Sequence, residues 1–119
     1  MRSAQERIVQ EYLDVTYPLN SFVKAKPKWL RNPITGRKLE LDFYCEQLKL
    51  AVEVNGKQHY EYVKYFHKQL YNFNEQLIRD ETKIALCRKY GVTLVVIPYI
   101  ITDVGSFIES DLMEQAINN

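Results

Sequence analysis

The stretch that most limits what this chain can become is residues 39–60, LELDFYCEQLKLAVEVNGKQHY. It reads as two β-strands, about 39–44 and 48–54, joined by a tight connection. Aliphatic and aromatic residues dominate both, as a half-buried pleated surface favours. Each strand carries one acid among apolar neighbours: Asp42 in LELDFY and Glu53 in LAVEV. Adjacent paired strands bring two such carboxylates together. Like charges held close repel unless a cation lies between them, so the pair is a metal site or an uncompensated cost. Magnesium accepts oxygen ligands from one or two carboxylates and keeps positions for water and phosphate.

The second strand runs into Asn55-Gly56-Lys57-Gln58-His59. An imidazole and an ammonium therefore follow the strand end, close to the carboxylates. Two acids, a histidine and a lysine are the parts of metal-assisted phosphodiester hydrolysis. Strand alternation puts Glu53 on one face with Ala51 and Asn55. Asn55-Gly56 is also a tight-turn signal, which by itself accounts for both residues.

On these residues the chain resembles the PD-(D/E)XK restriction-endonuclease-like superfamily. The nearer likeness is to its branch around the very-short-patch-repair endonucleases and related small nucleases of phages, large DNA viruses and mobile elements. The motifs that carry it are LELDFY, VEVNGKQHY, RDETK at 79–83 and LVVIPY at 94–99, and it covers roughly residues 3–99. The resemblance implies an α/β fold: a single-domain α/β/α sandwich with a mixed sheet, restriction-endonuclease-like. It also implies Mg2+, with Mn2+ as a substitute, held by Asp42, Glu53 and the backbone carbonyl of Val54. His59 would act as general base or position the water. Lys57 or Lys83 would stabilise charge on phosphate, while Glu6 and Asp80 would orient water and histidine. One position departs from the pattern. The usual lysine two residues after the second acid is Asn55 here, so His59, Lys57 or Lys83 must supply what it would have done.

Before this core, Ser3-Ala4-Gln5-Glu6 has capping-box form and opens a helix. Ile8, Val9, Tyr12 and Leu13 recur on it at helical spacing, and Glu6 shares their stripe. Glu6 either caps its own helix or faces the carboxylate pair. Tyr17-Pro18 breaks the helix, and residues 21–38 read as a mostly irregular arm leading into a hairpin. No acid occurs from residue 15 to 39, a span that holds Lys24, Lys26, Lys28, Arg31, Arg37 and Lys38. Its local charge is +6 within an overall +1, leaving −5 for the rest. Such segregation is the footprint of a surface that meets phosphates, and Trp29 among the cations offers a stacking face for a base. Trp29 packed beneath the sheet is the other reading.

Residues 60–73 are rich in aromatic rings and read as a loop and short helix. A helix over about 74–90 follows, its expected core stripe being Leu77, Ile78, Ile84 and Ala85, with Asp80, Lys83 and Cys87 along one flank. Gly91 ends it, and the β-branched run 92–97 reads as a buried central strand. Ser106 to Glu109 has capping-box form and opens a last helix over about 106–117. The order is helix, three strands, helix, strand, helix: αβββαβα.

A chain of 119 residues makes one domain, spanning 1–119, with the arm at about 21–38, the core at about 39–99 and the last helix at about 106–117. Its 46% hydrophobic and 26% charged residues are those of a soluble globular protein, and no apolar run approaches a membrane span. With no apolar secretory segment, the expectation is an intracellular protein, in cytoplasm or nucleus or nucleoid, as monomer or homodimer. Cys45 and Cys87 lack metal-ligand spacing and read as free thiols rather than zinc ligands with His59 and His67. The expected function is a Mg2+-dependent endonuclease on duplex or structured DNA. The alternatives are a catalytically inactive nucleic-acid-binding module on the same fold, favoured by Asn55, and a protein adaptor using the aromatic segment.

Overall fold

The computed structural model describes residues 2–56 and 67–118, with the backbone alone for 67–73. Among the described residues seven elements follow one another: α1 (Ala4–Thr16), β1 (Val23–Ala25), β2 (Leu41–Cys45), β3 (Leu50–Asn55), α2 (His67–Lys89), β4 (Thr93–Pro98) and α3 (Val104–Ile117). The order αβββαβα holds. The strands form one sheet in the order β1-β2-β3-β4. The first two pairings are antiparallel and β3–β4 is parallel, so the sheet is mixed. A parallel pair needs a long crossover, and α2 lies within it.

Both faces of the sheet are covered. On one, Val9 and Leu13 of α1 and Val104 and Ile108 of α3 pack on Phe43, Val52, Val95 and Ile97. On the other, Cys87 of α2 and Leu30 and Leu39 of the arm pack on Leu41 and Ala51. This three-layer packing makes a single α/β domain. Cys45 belongs to the first cluster and Cys87 to the second, so the sheet separates two free, buried thiols.

The capping box at α1 is complete: Ser3 Oγ accepts from Glu6 N at 3.2 Å, and Glu6 Oε1 accepts from Ser3 N at 2.9 Å. The second box is displaced. The N-cap of α3 is Asp103, whose Oδ1 accepts from Ser106 N at 3.1 Å, so the helix starts at Val104 instead of near 106. Asp103 is as good a cap as Ser106 and stands one turn earlier, so the earlier start caps the Ser106 amide and adds a turn. That turn brings Gly105 against α1. A Cβ there would stand 2.8 Å from Tyr12 Cε1, and the Tyr12 hydroxyl is tied to Glu109 Oε1 at 3.2 Å. Gly105→Ala is therefore expected to destabilise the fold by about 1–3 kcal/mol, read as a lower urea midpoint with unchanged m-value.

Two further expectations are corrected. β4 is an edge strand of the described sheet, not a central one. Its apolar run reflects helices on both faces, and α3 also guards its edge, where Gln115 Nε2 donates to Leu94 O at 3.0 Å. On α2, Leu77, Ile78, Ile84 and Ala85 are exposed. The helix instead turns the buried Cys87 and the half-buried Asp80 and Lys83 inward, and Lys83 meets the Glu53 carboxylate of the sheet.

Candidate metal and phosphate site

The site begins with an extra residue in β2. Val23 and Ala25 of β1, two positions apart, pair with Tyr44 and Leu41, three positions apart. Leu41 and Tyr44 join one core cluster while Phe43, between them, joins the other. This is a β-bulge, a device that re-aims a side chain. It leaves Asp42 where the ladder breaks, with its Oδ2 accepting from Val54 N at 3.0 Å. The next strand is in register at Phe43↔Val52, so Glu53 lies beside Asp42. The two carboxyl groups are close enough for Asp42 to act on the titration of Glu53.

Glu53 is buried, with 6% of its surface exposed. Its pKa is pushed up from 4.5 to about 8, first by burial and next by Asp42, against the pull of Lys83. Lys83 Nζ stands 3.0 Å from Glu53 Oε1. Cys87, one helical turn on, lies in the field of both groups. Burial, then Glu53, raise its thiol to about 11, so it is a neutral wall of the site rather than a nucleophile.

A buried carboxyl that keeps its proton beside a half-buried second one fits a divalent cation in the proton's place. Among the described residues no cluster of three or more His, Cys, Asp or Glu exists. The two carboxylates beside the Val54 peptide are the oxygen donors that the described residues offer here, and they would suit magnesium. Asp42, Glu53 and Lys83 are brought together as expected. Lys57 and His59 lie outside the described residues, as do residues 60–66 and the side chains of 67–73 in the aromatic segment invoked for an adaptor. Asp80 accepts from Gln76 Nε2 at 3.0 Å, on the same helix flank as Lys83. Glu6 caps its helix and also meets Arg2, whose Nη1 is 3.8 Å from Glu6 Oε2.

Arg2 is the participant that sequence reading missed. Its Nη2 donates to the Asp42 carbonyl at 2.9 Å, and its guanidinium lies 3.9 Å over the Phe43 ring. Its Nη1 is buried without a hydrogen-bond partner among the described residues. Arg2 thereby ties the start of α1 to the bulge. Only its spacing of four before Glu6 could have hinted at it.

The six cations of the arm are all exposed. Lys24 pairs loosely with Glu40 at 3.7 Å. Arg31 serves the arm itself, donating to Lys28 O at 3.1 Å and Gly36 O at 2.9 Å. Trp29 packs: its ring stacks on Tyr90 at 5.1 Å and meets the edge of Tyr44 at 6.3 Å. A separate groove of about 860 Å³ runs between α2, β4 and α3 and contains neither Asp42 nor Glu53.

Proton linkage gives a test. The folded chain keeps a proton on Glu53 that the unfolded chain releases above about pH 4.5, so this group's contribution to stability falls as pH rises from there to about 8. The slope is at most about 1.4 kcal/mol per pH unit. Magnesium is expected to expel that proton. Calorimetric titration in buffers of different ionisation enthalpy should show proton release at pH 7, lost in Glu53→Gln.

No family model and no solved structure matches this chain. It is similar to three proteins of viruses. One is the uncharacterized protein 307L of Invertebrate iridescent virus 6, 37% identical over 124 residues, covering 92% of this chain and 63% of that protein. The second is the uncharacterized protein 033L of Invertebrate iridescent virus 3, 41% identical over 105 residues, covering 87% and 54%. The third is the uncharacterized protein 094L of Frog virus 3, 44% identical over 92 residues, covering 76% and 59%. The chain thus spans somewhat more than half the length of the curated relatives it matches.

Proposed function

We propose that this chain is a magnesium-dependent endonuclease acting on DNA, built on a restriction-endonuclease-like core. The observation that supports the reading is the buried Glu53 beside the half-buried Asp42 on the adjacent strand, with Lys83 Nζ 3.0 Å from Glu53 Oε1. The element order and the exposed cations of the arm support it. Asp42 and Glu53 would hold the cation, whose charge would activate water and offset that of the phosphate. Asp42 keeps one oxygen on the Val54 amide, which fixes its orientation. Glu53 would give up its proton on holding the cation. Lys83 replaces the lysine that Asn55 displaces: it comes from α2 rather than β3, yet reaches the same carboxylate. It would offset negative charge developing on the phosphate. Manganese is expected to substitute.

The test is relaxation of supercoiled plasmid by the purified chain in magnesium or manganese, with chelator as control. Nicked or linear product that appears only with metal is the expected result. Tight, salt-sensitive DNA binding with no product in either metal would overturn it. That outcome would favour the inactive binding module that Asn55 suggests.

A further inference from the structure

The arm ends in a small hairpin, residues 31–38, bridged at Arg31↔Lys38. Its root is in the core, where Leu30 and Leu39 are buried and Leu39 N donates to Leu30 O at 2.8 Å. Its turn is heavily cross-tied. Asn32 N donates to Arg37 O at 2.9 Å, and Gly36 N donates to Asn32 O at 2.8 Å. The buried Asn32 side chain accepts from Ile34 N at 2.9 Å and from Thr35 N at 3.4 Å. Arg31 Nη1 clamps the Gly36 carbonyl from outside, and Gly36 takes the left-handed φ of +75° that the turn needs. All this order presents Ile34, next to the exposed Pro33, to solvent: Ile34 is 80% exposed.

Single exposed apolar residues are common and need no explanation. Here three further facts stand beside the exposure. The turn is held from both sides, so little entropy is lost on insertion. The arm that carries the tip has no acid from residue 15 to 39, and its Lys28, Arg31, Arg37 and Lys38 are exposed. The hairpin roots on the sheet face that also carries Glu53 and Lys83, and Lys38 precedes Asp42 by four residues, about 14 Å of chain at full stretch.

We propose that this hairpin is a wedge for duplex DNA. Ile34 enters a base step while Arg37, Lys38 and Lys28 hold the flanking phosphates. Apolar side chains on a cationic support partly unstack and kink duplexes in this way. The occupant is a duplex rather than an apolar protein surface, because the arm that carries the tip is cationic and a protein groove would have to bury those charges. Flexible pyrimidine–purine steps should be preferred, since they unstack most readily. The inference rests on the DNA-binding part of the proposed function, not on cleavage.

The experiment uses the whole chain in EDTA with duplexes carrying 2-aminopurine at successive positions around a central TA step. Wild type should raise the fluorescence several-fold at one step. Ile34→Ala should abolish that rise and weaken binding about ten-fold, with the salt dependence of affinity unchanged. The double variant Arg37→Gln, Lys38→Gln should lower the salt slope by about two. Ile34→Met should retain the rise. The wedge is overturned if wild type binds without any fluorescence change, if Ile34→Ala behaves as wild type, or if no duplex is bound. Metal-dependent cutting without unstacking would sink the wedge and spare the nuclease; unstacking without cutting would do the opposite.

Discussion

Asp42→Asn is expected to lower metal-dependent plasmid cleavage by at least about 10³-fold, since a catalytic cation supplies several kcal/mol to the transition state. The fold should survive. Asparagine keeps an oxygen for the Val54 amide, now at 3.0 Å from Asp42 Oδ2. It also removes the like charge that helps hold the Glu53 pKa at about 8. Thermal stability at neutral pH should therefore be equal or higher. Alanine is the poorer choice, because it orphans a partly buried amide at a cost of about 1–3 kcal/mol. Loss of cleavage with an unchanged melting curve supports a metal-binding role. Undiminished cleavage by Asp42→Asn would remove the carboxylate pair from the chemistry.

Lys83→Met is expected to cost about 10²–10³ in turnover, as loss of one positioned charge at a reacting centre does. Its second effect is on protons. Lys83 pulls the Glu53 pKa down, so its loss leaves burial and Asp42 to raise it further. The acid limb of the pH–rate profile should move to higher pH, and magnesium should bind more weakly at pH 7. A partial rescue separates this role from simple packing. Glu53 and Asn55 lie on the same face of β3, so Asn55→Lys in the Lys83→Met background returns an ammonium to the site from the strand. Recovered turnover with the acid limb returned toward wild type would show that position of the charge matters, not its helix of origin. A double variant as slow as Lys83→Met, with normal metal binding, would count against a catalytic ammonium.

How much of this was legible in the residues depends on distance along the chain. The Ser3–Glu6 box, the two acid-bearing strands and the element order are local signals, and the structure reproduces them. The orientation of α2 was not legible. Periodicity selects its apolar residues as the inner face, yet the sheet presents a buried carboxylate, and pairing Lys83 with it outweighs burying Leu77 or Ile84. The bulge at Asp42 was equally hidden, because nothing in LELDFY marks where the ladder slips. Arg2 reaches the Asp42 carbonyl across 40 positions, and no short-range pattern reports such a bond. The charge separation of the arm was legible as composition, but the rigid turn that shapes it rests on Asn32 being buried, a tertiary fact.

The central sheet puts the chain's two thiols in separate compartments, and this makes each a private clock. Alkylation of Cys45 requires the layer of α1 and α3 to lift; alkylation of Cys87 requires α2 and the arm to part from the opposite side. Timed labelling read by mass would therefore say which half of the molecule breathes first. A divalent cation held between β2 and β3 by Asp42 and Glu53, on the sheet face that Cys87 packs against, should slow the Cys87 clock far more than the other.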